Sequence, residues 1–163
     1  MEDTVLGGRT KRDLMFKNEG IIFTARAAAL IIKDNHLLAV KHADHDVYYT
    51  VGGGIEINET SEEAVTREVY EETGRRLEID KLVFIEERFL EINKQRYHEI
   101  GFFYLMKNNA DINVSESTHT DQEKETLHWL PLNQLSDIDL VPKFLKTKAL
   151  NNISTLEHII SRE

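Results

Sequence analysis

The chain has 163 residues, enough for one compact domain with a substantial core. Its 29 acids against 20 bases leave a net charge of −9, which disfavours DNA or RNA binding, because that affinity rests on neutralising phosphates. The absence of cysteine excludes disulfides, Cys-ligated zinc and thiol nucleophiles, and suits a reducing, cytoplasmic setting.

In chain order, residues 1–19 read as an N-terminal extension and 20–163 as a single domain. The opening residues carry charge with no apolar run behind it, unlike a secretory signal. The longest apolar stretch, 27–32, falls far short of the roughly 20 residues that a membrane span needs. Residues 21–24 and 27–32 are apolar and strand-like, with Arg26 interrupting them. Asp34-Asn35 signals a turn into a second strand over 36–41. A polar loop, 42–46, leads to an extended segment at 47–51, and Gly52-Gly53-Gly54 is expected to break it. Thr60 and Glu63 form a capping box for a helix that Gly74 stops, with Val65 and Val69 as its buried stripe. Two strands follow at 82–90 and 97–106, joined by a turn at Asn93-Lys94. A long polar loop spans 107–125, and 126–130 is a short strand. The tail from Lys143 onward is helical by pattern. The fold class is α+β.

The helix carries the chemistry. Glu68, Glu71 and Glu72 fall within an arc of roughly 100° at 3.6 residues per turn, and like charges at that spacing repel. The basic residue beside them, Arg67, points to another side. A hard divalent cation would relieve the repulsion, since such ions take oxygen ligands. The glycines ahead of the helix let the backbone turn sharply.

Residues 53–74, GGIEINETSEEAVTREVYEETG, resemble the Nudix box, G-x5-E-x7-R-E-U-x-E-E-x-G-U with U a bulky apolar residue. Gly53, Glu59, Arg67, Glu68, Val69, Glu71, Glu72 and Gly74 all fit, and Arg75 departs from the final apolar position. Val51 stands where many members have proline. The likeness extends over roughly residues 20–150, with Trp129-Leu130-Pro131-Leu132 as the strand after the box.

The resemblance implies a Nudix-type α/β/α sandwich: a mixed sheet with the box helix on one face. It implies a pyrophosphohydrolase that cleaves the phosphoanhydride of a nucleoside diphosphate linked to another group X. Mg²⁺, or Mn²⁺, would be held by Glu68, Glu71 and Glu72. Arg67 and Glu59 would brace the box, and Gly52 and Gly53 would approach the substrate. The partner would be a small phosphorylated nucleotide, with no membrane; a homodimer is left open. A Nudix-fold ligand sensor without catalysis is the rival, although the box glutamates are all retained. An isomerase of the same fold would lean on a cysteine that this chain lacks.

Outside the box, Glu123 lies where many members carry a further ligand or base, or is one more solvated acid beside Asp121 and Glu125. Glu99 lies in an otherwise apolar strand, facing either the site or solvent. Arg26 binds phosphate, stacks on a base or merely snorkels. His42, Asp44, His45 and Asp46 lack zinc spacing and read as an ordinary loop. At most one of Tyr48 and Tyr49 can face the pocket. Trp129 reads as core.

Overall fold

The structure, a computed structural model, describes residues 13–44, 46–107, 111–114 and 125–163. The long central strand β2, Ile21–Leu30, follows a short β1, Met15–Asn18, which pairs with it antiparallel. Arg26 does not interrupt β2, because alternating residues serve opposite faces of the sheet. The chain continues through β3 (Ile32–Lys33), β4 (His36–His42) and β5 (Tyr48–Gly54) to the helix α1 (Ser61–Thr73). Two long strands, β6 (Glu78–Ile92) and β7 (Gln95–Lys107), form a hairpin. Strands β8 (Glu125–Pro131), β9 (Leu140–Val141) and β10 (Glu157–Arg162) complete the chain, with 3-10 turns at Leu132–Asp137 and Lys143–Thr147.

These strands make one mixed sheet in the order β10-β6-β7-β2-β5-β4-β3, with β1 added on β2, β8 on β4 and β9 on β5. β2 runs parallel to β7 and antiparallel to β5. Ala25, Ala27 and Ala29 turn to the helix and pack with Ala64, Val65 and Val69. Ala28 and Leu30 turn the other way, onto Phe84, Phe103, Leu135 and Leu145. The helix thus covers one face, and the 3-10 turns with the segment to Leu150 cover the other.

Two further sequence expectations are corrected. The glycine run does not break β5, which continues through Gly54 by pairing Gly52, Gly53 and Gly54 with Ala28, Ala27 and Arg26 of β2. The tail is not a continuous helix: after the turn at Lys143–Thr147 it becomes β10, parallel to β6. Within β10, Glu157, Ile159 and Ser161 are half-buried and alternate with exposed His158, Ile160 and Arg162. That period of two competes with the helical reading and wins once β6 supplies an edge to pair with.

Helix α1 begins and ends as its local signals dictate. The Thr60 hydroxyl accepts from the Glu63 N–H at 3.2 Å, and the Glu63 carboxylate accepts from the Thr60 N–H at 2.8 Å. Gly74 closes the helix in the left-handed region at φ 67°. Thr60→Ala is expected to lower unfolding stability by about 1 kcal/mol, measured by urea denaturation, with the α1 residues otherwise unmoved.

Candidate active site

Arg67 organises the site from inside the protein, its side chain being only 10% exposed. Its Nε and Nη2 donate to both carboxylate oxygens of Glu59 at 2.8 and 2.9 Å. Nη2 also donates to the Gly54 carbonyl at 3.0 Å, while Nη1 reaches Glu68 at 2.5 Å and Glu71 at 3.4 Å. The Glu59 hydrogen bonds are the largest cause holding the guanidinium pKa above its usual value. Glu59 in turn accepts from the Glu56 N–H at 2.9 Å, tying down the loop that leads into α1. One cation therefore joins the loop, β5 and the acidic face of the helix; it turns onto Glu68 and Glu71 rather than to another side, which corrects the expectation from helical spacing.

Glu68 and Glu72 are buried, at 3% and 7% exposure, one helical turn apart on the side of α1 that meets β5. Two glycines make room for them. At Gly53 an added Cβ would lie 2.4 Å from a Glu68 carboxylate oxygen, so the missing side chain is the space that the carboxylate occupies. At Gly52 the backbone adopts φ +143°, and a Cβ would lie 2.3 Å from the Ala27 carbonyl oxygen. Only glycine fits there.

The Gly52 N–H donates to Glu72 Oε1 at 3.3 Å, whereas Glu72 Oε2 is buried without a hydrogen-bond partner. Burial, followed by the charges of Glu68 and Glu125, pushes the Glu72 carboxyl well above the usual range; Gly52 and Arg26 pull it back only in part. A divalent cation fits this donor set, because it supplies the positive charge that the orphaned oxygen lacks. Among the described residues, no three Asp, Glu or His side chains converge on one point as they stand. Glu68 and Glu71 both turn to Arg67 Nη1.

Glu125 is the residue that sequence reasoning passed over in favour of Glu123, which lies outside the described residues. It opens β8 directly opposite His42, whose Nε2 is 2.6 Å from its carboxylate, and its side chain is 11% exposed. The sequence reading began the strand at residue 126, one position late, and so grouped Glu125 with the loop acids. His42 thus belongs to the edge of this acidic cluster, while Asp46 pairs with Lys41 in the loop. Arg75, at the departing box position, lies on the surface and donates to the Asp111 carbonyl at 3.1 Å. Trp129 packs against the core on the helix side.

Arg26 and Glu99 lie across the sheet from the helix. Arg26 alternates with Ala25 and Ala27, and its Nη2 donates to the Gly52 carbonyl at 3.2 Å. Gly52 therefore touches Arg26 through its carbonyl and Glu72 through its N–H. Glu99 lies further along the same face, opposite Thr24 and Arg88. Among the described residues no helix is long and apolar enough to cross a membrane.

Comparisons with known proteins bear on the family and the fold. The family model for the NUDIX domain matches residues 23–150. A MutT-like protein of Streptomyces ambofaciens is 45% identical over 56 residues, covering 34% of this chain and 36% of that protein. An NAD-capped RNA hydrolase, NudC, of Photorhabdus laumondii is 32% identical over 107 residues, covering 64% of this chain and 38% of that protein. The chain thus matches little more than a third of the length of either relative. Among solved structures, a MutT protein of Bacillus halodurans superposes with a TM-score of 0.64 at 15% identity, over 85% of this chain and 89% of that one. That likeness concerns the fold. With the family model spanning most of the chain and the glutamate helix packed on its glycine strand, the protein belongs to the Nudix family of hydrolases.

Proposed function

We propose that the protein hydrolyses the phosphoanhydride bond of a nucleoside diphosphate linked to a further group X, using Mg²⁺ or alternatively Mn²⁺. The observation that carries this reading is the buried, unpartnered Oε2 of Glu72 beside buried Glu68, next to a glycine strand stripped of side chains. Glu68, Glu71 and Glu72 would hold the cation, exchanging the contacts that Glu68 and Glu71 now make with Arg67. A divalent cation in such a site offsets phosphate charge and lowers the pKa of bound water. Arg67 and Glu59 keep the loop and helix in register, and Gly52 and Gly53 admit the phosphates to the strand. Arg26, fixed by the Gly52 carbonyl, places a positive charge at the substrate end of the strand. Glu125, near Glu72, is a further candidate ligand or base. A cysteine-free chain acting on small nucleotides suits the cytoplasm.

The test is a phosphate-release screen over a nucleoside triphosphate, ADP-ribose, a nucleotide sugar and a dinucleoside polyphosphate, with Mg²⁺, Mn²⁺ or chelator. Turnover of at least one substrate, abolished by the chelator, is expected. No turnover with either metal would favour a nucleotide sensor built on the same fold.

A further inference from the structure

Strands β4 and β8 pair from His36↔Pro131 to His42↔Glu125, so His42 and Glu125 stand opposite each other on the last rung of that ladder. Alternation fixes the face they share. Leu38 and Val40 of β4, with Leu127 and Trp129 of β8, pack with Ala64, Val65 and Val69 of α1. His42 and Glu125 continue those two series, and so lie on the helix side of the sheet, the side of Glu68 and Glu72. The sequence groups His42 with a polar loop, whereas it is the final residue of β4.

A carboxylate at the end of a ladder can turn among several rotamers unless a neighbour holds it. His42 is that neighbour: its Nε2 lies 2.6 Å from Glu125 Oε1, and the Glu125 side chain is only 11% exposed. An ionised carboxylate accepts and does not donate, so Nε2 carries the proton of this contact whether the imidazole is neutral or charged. The ring is gripped in turn by Tyr49 of β5, which meets it edge to face with centroids 6.3 Å apart. Glu125 also acts on the glutamate helix. After burial and Glu68, its charge is the next cause that raises the Glu72 carboxyl, whose Oε2 is buried without a hydrogen-bond partner.

We infer that His42 is a positioning residue of the metal site, fixing Glu125 as a further carboxylate for the cation that Glu68, Glu71 and Glu72 would hold. The contact engages Oε1 of Glu125, and a carboxylate held through one oxygen presents its other oxygen in a set direction. Outer partners of this kind orient metal ligands, and losing one typically lowers affinity by about 10- to 100-fold. The inference rests on the proposed function in taking the glutamate face of α1 as the cation site. It goes beyond that reading by giving a histidine from β4, on the far side of β5 from β2, a part in holding the cation.

The test is Mn²⁺ binding without nucleotide, followed by the paramagnetic resonance of the free ion. It compares the wild type with Glu125→Gln, His42→Gln, His42→Asn and the double variant His42→Asn/Glu125→Gln. The two amides at position 42 separate positioning from bulk and polarity. Glutamine carries its donor about as far out as Nε2 and keeps the contact, whereas asparagine is one methylene too short. Glu125→Gln and His42→Asn are each expected to weaken Mn²⁺ by about 10-fold or more, with His42→Gln close to the wild type. The double variant should bind no worse than Glu125→Gln alone, because His42 acts only through Glu125. Equal affinity of His42→Asn and His42→Gln overturns the inference, and so do losses that multiply in the double variant. Mn²⁺ binding that survives Glu125→Gln unchanged defeats this inference alone. A wild-type protein that binds no Mn²⁺ defeats the metal reading of the site and this inference with it.

Discussion

Glu72→Gln is expected to separate activity from stability, lowering turnover by about 10²- to 10⁴-fold while making the folded protein harder to unfold at neutral pH. The stability gain follows from the state of the native side chain. Glu72 is 7% exposed, one of its oxygens has no partner, and its carboxyl is pushed above the usual range, first by burial and then by Glu68 and Glu125. A carboxyl whose folded pKa lies above its unfolded value costs stability at every pH where the unfolded chain has it ionised. The cost is full above the folded pKa and disappears as pH falls through it toward the unfolded value of about 4.3. The neutral amide avoids that cost and keeps an acceptor for the Gly52 N–H. The variant should therefore exceed the wild type by about 1 kcal/mol or more at pH 7 in the absence of metal, and the difference should close as the pH falls toward 4. Urea denaturation across that range checks it. A variant less stable than the wild type at pH 7 would mean that the Glu72 charge is already compensated. Added Mg²⁺ should stabilise the wild type and leave the variant nearly unchanged, because ligand binding to the native state raises its stability.

The second large effect distinguishes two neighbouring glycines. Gly52→Ala should cost about 3 kcal/mol or more, because the new Cβ meets backbone at a φ of +143°. Its nearest neighbours, the Ala27 carbonyl oxygen at 2.3 Å and Ala28 Cα at 2.7 Å, belong to the central strand and cannot give way without parting β2 from β5. Gly53→Ala meets only the end of a side chain, the Glu68 carboxylate at 2.4 Å. That carboxylate can swing, so the fold should lose only about 1 kcal/mol, whereas a misplaced Glu68 should cost about 100-fold or more in kcat. Melting temperature and kcat, measured on both variants, would decide it. Equal destabilisation of the two proteins would contradict the close packing of β5 on β2.

Much of the helix was legible because its signals are local. Thr60, Glu63 and Gly74 act within one turn, and the glutamates repeat at helical spacing. The glycine run was misread because glycine disfavours strand in isolation, and only the alanines of β2, distant in sequence, explain why small residues are needed in β5. β10 was missed for a similar reason: its parallel partner β6 lies some seventy residues earlier, and its short alternation competes with a helical pattern. Glu125 was overlooked because a fixed offset from Trp129 favoured Glu123, whereas the pairing of β8 with β4 brings Glu125 to His42. Arg26 and Glu99 were both singled out from the sequence as charges in apolar strands. That they share one cleft with Arg88 depends on the parallel pairing of β2 with β7, which no local pattern encodes.

Gly52 has one further consequence. Its carbonyl holds Arg26 and its amide holds Glu72, so only the two backbone torsions of a single residue lie between these side chains. Their separation depends on the two torsions of Gly52 together with two hydrogen bonds, at 3.2 and 3.3 Å. A twist of that one residue would move both contacts together, so that whatever pulls on the guanidinium is felt at the carboxylate.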